Sequence, residues 1–496
     1  MLKIYKKLFE AIHSEKIKYC HFKSNDHIDA GLNGFTDLDI VVTPQDARNL
    51  IKLLHDFDFK RTDAGFGVKN HAREGYLGYD SDSGKLVYID LHFSIVVGKN
   101  RVREYALNDF AHNIIKNRVL DISSGIYIAS PAYEFFLLIL RASIKVRIRD
   151  KIKNLFGVVF FDKSWRSQHD WLNKRYCQTE LMSLLELYFN KSDLDRVLMQ
   201  FVTYPSLKEL FYLKKRLRGS IFGSLKYGKM ESFIGMVLKE INGALCYVNR
   251  KFLSNLLPLN RRYLSLGGRF IALVGVDGAG KSTQINYISK YLSWKLDVSK
   301  VYLGAGDGNS SWHRFILIMC RKLLSLKSDS YNDNAYEKKR ESMSVFRKFS
   351  RNIWAVSLMI EKNSKLKKYH RLSKRATVVI SDRYPQNDVK NFNDGSLLSE
   401  YKKNSKWSLL GWLARIEDNI YSGDKYGSPD LVIKLMVEPK ISIERGQSTS
   451  IAYLQRRIDA VNSMTFSDSC KVIEVDASQS PEKVSQDISN LIWKIF

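Results

Sequence analysis

What this chain can fold into is constrained most by Gly275-Val276-Asp277-Gly278-Ala279-Gly280-Lys281-Ser282-Thr283. The apolar run Phe270-Ile271-Ala272-Leu273-Val274 before it reads as a buried strand, and Ile285, Ile288 and Leu292 after it recur at the spacing of one helix face. A glycine-rich turn between strand and helix lets consecutive backbone N–H groups point at phosphate oxygens with no Cβ in the way, at the positive end of the helix. The pattern predicts a loop that binds ATP through Gly275, Asp277, Gly278, Ala279, Gly280, Lys281, Ser282 and Thr283. Lys281 would bridge the β- and γ-phosphates and Ser282 would ligate Mg2+. An ordinary glycine turn has no need of a lysine followed by two hydroxyls.

At 496 residues the chain exceeds one ordinary core, and 45% hydrophobic with 26% charged residues is the composition of a folded protein. No apolar run reaches the roughly 18 residues of a membrane span. Phe135-Phe136-Leu137-Leu138-Ile139-Leu140 is stopped by Arg141, and the first seven residues lack the apolar core of a secretory signal. Cys20, Cys177, Cys246, Cys320 and Cys470 are scattered and form no C-x-x-C pair, which argues against a disulfide framework or a zinc site and for a cytoplasmic location. The net charge of +27 asks for a polyanionic partner. Residues 141–270 hold 25 Lys/Arg against 10 Asp/Glu, clustered at Arg141, Lys145, Arg147 and Arg149 and again at Lys214, Lys215, Arg216 and Arg218. Nucleic acid, an anionic membrane face or a phosphorylated substrate would each suit this segment, as would a solvated helix face.

In the first half, Thr36-Asp37-Leu38-Asp39-Ile40-Val41-Val42 reads as a strand whose alternation puts Asp37 and Asp39 on one face. Two carboxylates in one space repel unless metal ions neutralise them. Asp90 interrupts a second apolar strand, Leu86 to Phe93, and three carboxylates on neighbouring strands suit a two-metal site. Thr43-Pro44 predicts a capped helix start, and Ser130-Pro131 opens a strongly apolar helix. The D-h-D-h strand with a later lone acid resembles the nucleotidyltransferase superfamily over roughly residues 15–145. That resemblance implies an α+β domain with Asp37 and Asp39 as paired metal ligands and Asp90 as the third carboxylate. Where the family has a Gly-Ser turn, this chain has His21-Phe22-Lys23-Ser24-Asn25, with Ser24 in the serine's place.

After the glycine loop, apolar runs at Val301–Leu303, Thr377–Ile380, Leu431–Val437 and Val472–Val475 alternate with helical segments, which predicts a parallel sheet with helices on both faces. Ligands of such sheets sit at the carboxyl ends of the strands, where Ser381-Asp382-Arg383-Tyr384-Pro385 falls. Asp382 there can hold the Mg2+ shell and Arg383 can clamp a phosphate. The loop, the Asp382-Arg383-Tyr384 triplet, Pro429 to Ile433 and Val437-Glu438-Pro439 with Arg445 are similar to the thymidylate kinase family over about residues 266–496. The similarity implies a P-loop NTPase-type kinase with Asp277 near the acceptor, Arg383 at the phosphates, and Arg445 with Arg456 or Arg457 in a closing lid. The family's Arg-Glu-Pro-Gly-Gly segment is replaced by Leu303-Gly304-Ala305-Gly306-Asp307-Gly308-Asn309-Ser310-Ser311.

The expected organisation is therefore a nucleotidyltransferase-like domain over 1–150, a basic helical connector over 151–265, and a kinase domain over 266–496. The mixture of apolar and basic residues from Gly243 to Arg262 is expected to pack between domains. The function this implies is ATP- and Mg2+-dependent phosphorylation of a small acceptor: a nucleoside monophosphate such as dTMP, or a sugar of surface-polysaccharide synthesis. Nucleotide transfer to the product would follow in the first half. The alternative is a nucleotide-gated regulator or nucleic-acid-binding protein carrying an inactive nucleotidyltransferase-like domain.

Overall fold

Alternation along Leu38–Val42 decides the layout of the first unit: Leu38, Ile40 and Val42 enter one core while Val41 enters another on the opposite face. The computed structural model describes residues 1–64, 72–98, 104–147, 150, 160–226, 228–251, 262–304, 345–389, 394–403, 408–423, 425–446 and 450–496. Its contacts divide the chain into two units, Met1–Ser254 and Asn255–Phe496.

The first unit contains β1 (Tyr19–His21), β2 (Leu38–Val42), β3 (Lys60–Ala64), β4 (Arg73–Asp80), β5 (Lys85–His92), β8 (Val119–Asp121) and β9 (Ile126–Ile128) in one sheet, with β6 (Ile95–Val97) and β7 (Tyr105–Leu107) as a separate ribbon. Within this unit the sheet order is β3-β4-β5-β2-β1-β9-β8, with β2 parallel to β5 and β1 parallel to β9. Helices Lys3–Ser14 and Pro44–Asp56 cover one face. The second starts as expected: Pro44 takes the first turn and Asp46 N donates to Thr43 Oγ1 at 3.2 Å.

The opposite face packs on the helix Pro131–Lys145, which is apolar nearly all round and therefore buried nearly all round. The helices Lys163–Asn173, Gln178–Glu186, Leu194–Val202 and Leu207–Ser220 join that same core through Leu172, Leu185, Val197, Phe201 and Leu213. The helical stretch expected as a separate connector thus shares the first unit's interior up to residue 220. Four helices' worth of leucine and phenylalanine stripes need an apolar surface to cover, and the Pro131–Lys145 helix provides it.

In the second unit a short strand β10 (Arg262–Leu264) precedes five parallel strands: β11 (Phe270–Gly275), β12 (Val298–Tyr302), β13 (Val378–Asp382), β14 (Leu431–Met436) and β15 (Lys471–Asp476). Their order is β12-β13-β11-β14-β15. The expected apolar runs are these strands, and helices link them, so this unit is an α/β fold with a parallel sheet of the kind P-loop NTPases use.

His370, buried on the helix Val345–Lys374, lies 3.0 Å from Tyr384 Oη and packs tilted against Phe270 at 4.6 Å between ring centroids. Burial, aided by Lys374, pushes its pKa from 6.5 down to about 4. Between those values the unfolded chain binds a proton that the folded chain refuses, so stability is lost as pH falls from 6.5 towards 4. At about 1.4 kcal/mol per pH unit the full loss is about 3 kcal/mol. Thermal melts between about pH 7 and about pH 4.5 should therefore show a smaller fall in midpoint for His370→Gln than for the native chain.

Candidate active site

The turn after β11 is built by glycine: Gly278 and Gly280 adopt φ of +84° and +82°, a region in which a Cβ costs about 1–2 kcal/mol. This turn delivers the chain into the helix Lys281–Leu292 with its free N–H groups facing the loop. Register then brings the second motif alongside. Leu273 of β11 pairs with Asp382 of β13, and Arg383 N donates to Leu273 O at 2.9 Å. Ser282 Oγ consequently lies 3.5 Å from Asp382 Oδ2, while Asp382 Oδ1 is buried with no hydrogen-bond partner among the described residues. Burial raises the Asp382 carboxyl, against the pull of Lys281 and Arg383. A half-satisfied carboxylate beside a hydroxyl is a donor set that fits Mg2+.

Lys281 is folded back onto the loop, its ammonium donating to Val276 O at 2.7 Å and lying 3.7 Å from Asp277. Burial, then Arg383, push its pKa down to about 8 against Asp277 and Asp382. Asp277 is the hub of the site. Arg383 reaches it at 2.7 Å, Arg457 also donates to it, and Ser442 Oγ donates to its backbone carbonyl at 2.6 Å. Burial pushes the Asp277 carboxyl up, but Arg457, Arg383 and Lys281 outweigh it and hold the group below the usual carboxylate range. Arg445 donates to Gly278 O at 3.3 Å and Ala477 O at 2.9 Å. Of the two adjacent lid candidates, Arg457 is the one turned to the loop, and Arg456 is exposed.

Arg383 itself adopts φ of +68°, uncommon for a residue with a side chain. It is held there by Asp277 on one side and by Asp394 at 3.3 Å on the other. Asp394 also faces the ammonium of Lys362 at 3.7 Å, both side chains being buried. Neither Asp394 nor Lys362 carries a sequence signal. A Cβ at Gly304 would sit 2.4 Å from Tyr302 Oη and 2.8 Å from Arg383 Cδ, so a side chain there would have to displace Tyr302 or Arg383. The rest of that loop, Ala305–Ser311, lies outside the described residues, as do Arg149 and residues 252–261.

In the first unit, parallel pairing of β2 with β5 sets Asp39 directly beside Asp90. Their carboxylates and the His92 ring form a cluster whose ligand atoms lie within 4.8 Å of one another, and Asp37 is not a member. Asp37 precedes β2 and acts on Tyr5, whose phenol is raised chiefly by burial and further by this carboxylate. Each clustered carboxylate already has a cation: Lys23 lies 2.7 Å from Asp39, and Arg73 lies 2.6 Å from Asp90. Burial would raise Asp39, yet Lys23 and His92 outweigh it and depress the carboxyl strongly. Arg141, the charge that ends the apolar run, is carried inward by its helix and acts on Asp39 and Glu134. Ser24 stands in left-handed backbone at φ +60°, so it is Lys23, one residue earlier, that reaches the acid. A lysine within the family's turn was the available signal.

No protein-family model matches the chain. Among curated proteins it is similar to the uncharacterized ATP-binding protein YghR of Escherichia coli K12, 28% identical over 216 residues, covering 42% of this chain and 80% of that protein. YghS of the same organism is 25% identical over 236 residues, covering 46% of this chain and 95% of its own length. A thymidylate kinase of Francisella tularensis subsp. novicida is 23% identical over 240 residues, covering 46% and 97%. The chain contains a P-loop kinase-like region. These likenesses account for under half of the chain and leave the fold family of the other half unnamed.

Proposed function

We propose that the second unit binds ATP with Mg2+ and transfers its γ-phosphoryl group to a small acceptor. The observation that carries this reading is the convergence of Lys281, Ser282, Asp382 and Arg383 on one loop, fixed by the β11–β13 register. The ATP-binding and thymidylate kinase names of the relatives support it. The loop's N–H groups and Lys281 would hold the β- and γ-phosphates, and Ser282 and Asp382 would hold the ion. Mg2+, when bound, draws charge from the phosphate oxygens as transfer proceeds. Arg383 and Arg457 are already aimed at the loop through Asp277, so each can exchange that carboxylate for a phosphate oxygen. An acceptor oxygen would attack the γ-phosphorus as its bond to the bridging oxygen breaks, releasing ADP. A nucleoside monophosphate such as dTMP is the first acceptor to test and a sugar or sugar phosphate the second. ATP consumption against that panel should rise with one acceptor class and depend on Lys281. Tight, salt-sensitive nucleic-acid binding with no turnover would instead make the chain a nucleotide-gated regulator.

For the first unit we propose a nucleotidyltransferase-like site, supported by the side-by-side placement of Asp39 and Asp90 and by the cations Lys23 and Arg141 beside them. Pyrophosphate release from a nucleoside triphosphate should fall at least about 10²-fold in Asp39→Asn and far less in Asp37→Asn, which lies outside the cluster. Absence of pyrophosphate with every triphosphate would leave this unit a binding domain.

A further inference from the structure

The helix Lys229–Lys251 carries an apolar stripe on an exposed face. Phe233, Ile234, Val237, Leu238, Ile241 and Leu245 are each between 38% and 59% exposed, whereas Cys246 and Asn249 are buried. At about 3.6 residues per turn the six apolar side chains fall within an arc of about 140°, and the two buried residues fall outside it. An amphipathic helix ordinarily turns such a stripe towards a core. Here the stripe is presented outward, and the buried residues Cys246 and Asn249 lie beside it.

We propose that this helix lays its stripe into the surface of an anionic bilayer. Two observations select lipid over a second copy of the chain. The first is the shape of the stripe. A two-stranded coiled coil needs a narrow seam, at positions 234, 237 and 241, flanked by charged residues, but of the flanking positions only 240 is charged, and Phe233, Leu238 and Leu245 occupy others. A stripe this wide suits a fluid, one-sided apolar medium, as interfacial helices do. The second is charge. Residues 141–270 hold 25 Lys/Arg against 10 Asp/Glu, and the helix sequence itself carries Lys229, Lys239, Arg250 and Lys251 against Glu231 and Glu240. Two copies bearing that excess repel one another, whereas an anionic leaflet attracts each of them. No helix among the described residues is long and apolar enough to cross a membrane, so the contact is one of lying on the surface. The inference is independent of what either unit catalyses.

The test is co-sedimentation of the full chain with extruded vesicles. It should pellet with vesicles of one part phosphatidylglycerol to two parts phosphatidylcholine, and at least about tenfold less with phosphatidylcholine alone or at high salt. The double variant Ile234→Asp/Ile241→Asp should lose vesicle binding while keeping its circular dichroism and thermal midpoint, since both positions are exposed. Ile241→Trp should keep binding, because an aromatic side chain is at home at the interface. The proposal is overturned by failure to pellet with the anionic vesicles, by equal binding of the double aspartate variant, or by a dimer that the same variant dissolves.

Discussion

Replacing Lys281 by alanine is expected to lower the rate of ATP-dependent phosphorylation about 10³-fold while leaving the thermal midpoint within a few degrees of the native chain. The two halves of that expectation have one cause. The ammonium is buried and its hydrogen bond goes to a backbone carbonyl, Val276 O at 2.7 Å, with the Asp277 carboxylate further off at 3.7 Å. Burial accordingly brings its pKa down to about 8, so the fold gains little from the charge and loses little without it. A triphosphate changes the balance, because its oxygens would replace a backbone carbonyl as the ammonium's partner and strengthen as charge shifts during transfer. Arginine should not rescue the rate, since its planar fork does not fit where a compact point charge is held between loop and helix. The measurement is single-turnover phosphorylation beside a thermal melt. A rate above a tenth of native would remove Lys281 from the chemistry, and a collapse of the melt would make its role structural.

Much of this site could be read along the chain because the signals are local. A buried strand, a glycine turn and a helix face occupy consecutive residues, and Asp382 follows its strand directly, so register alone brings it to Ser282. The loop's electrostatic surroundings could not be read that way. Arg456 and Arg457 differ by one step of a helix, and which of them meets Asp277 depends on how that helix is rotated against the loop. Lys362 sits in a helix dotted with lysines, and nothing in one dimension separates the one that is buried from those that are solvated. In the first unit, alternation put Asp37 with Asp39, but β2 begins only at Leu38, so the pleat that would align them is absent at Asp37. The parallel neighbour Asp90 and the lysine of the preceding turn come from elsewhere in the chain, and pairing is what selects them.

Asp394→Asn is expected to lower the stability of the second unit by about 3–5 kcal/mol, a fall of roughly 10 °C in its melting midpoint. Asp394 is the common counter-ion of two cations, the buried Lys362 at 3.7 Å and the half-buried Arg383 at 3.3 Å. Burial drags the Lys362 pKa down and Asp394, then Glu417, resist it. At Arg383 burial also pulls down, but Asp394 and Asp277 outweigh it and the guanidinium stays firmly charged. Removing this carboxylate leaves a buried and a half-buried like charge near each other with less to neutralise them. The backbone is not the variable, because Asp394 has φ of +67° and asparagine tolerates that region as readily as aspartate. Taking away a cation as well should undo part of the damage: Lys362→Met in the Asp394→Asn background ought to recover about 2 kcal/mol. Recovery of stability without recovery of rate would place Asp394 in the positioning of Arg383, whose strained backbone needs a partner on both sides. A double variant no more stable than Asp394→Asn alone would mean that the two cations are not coupled through this carboxylate.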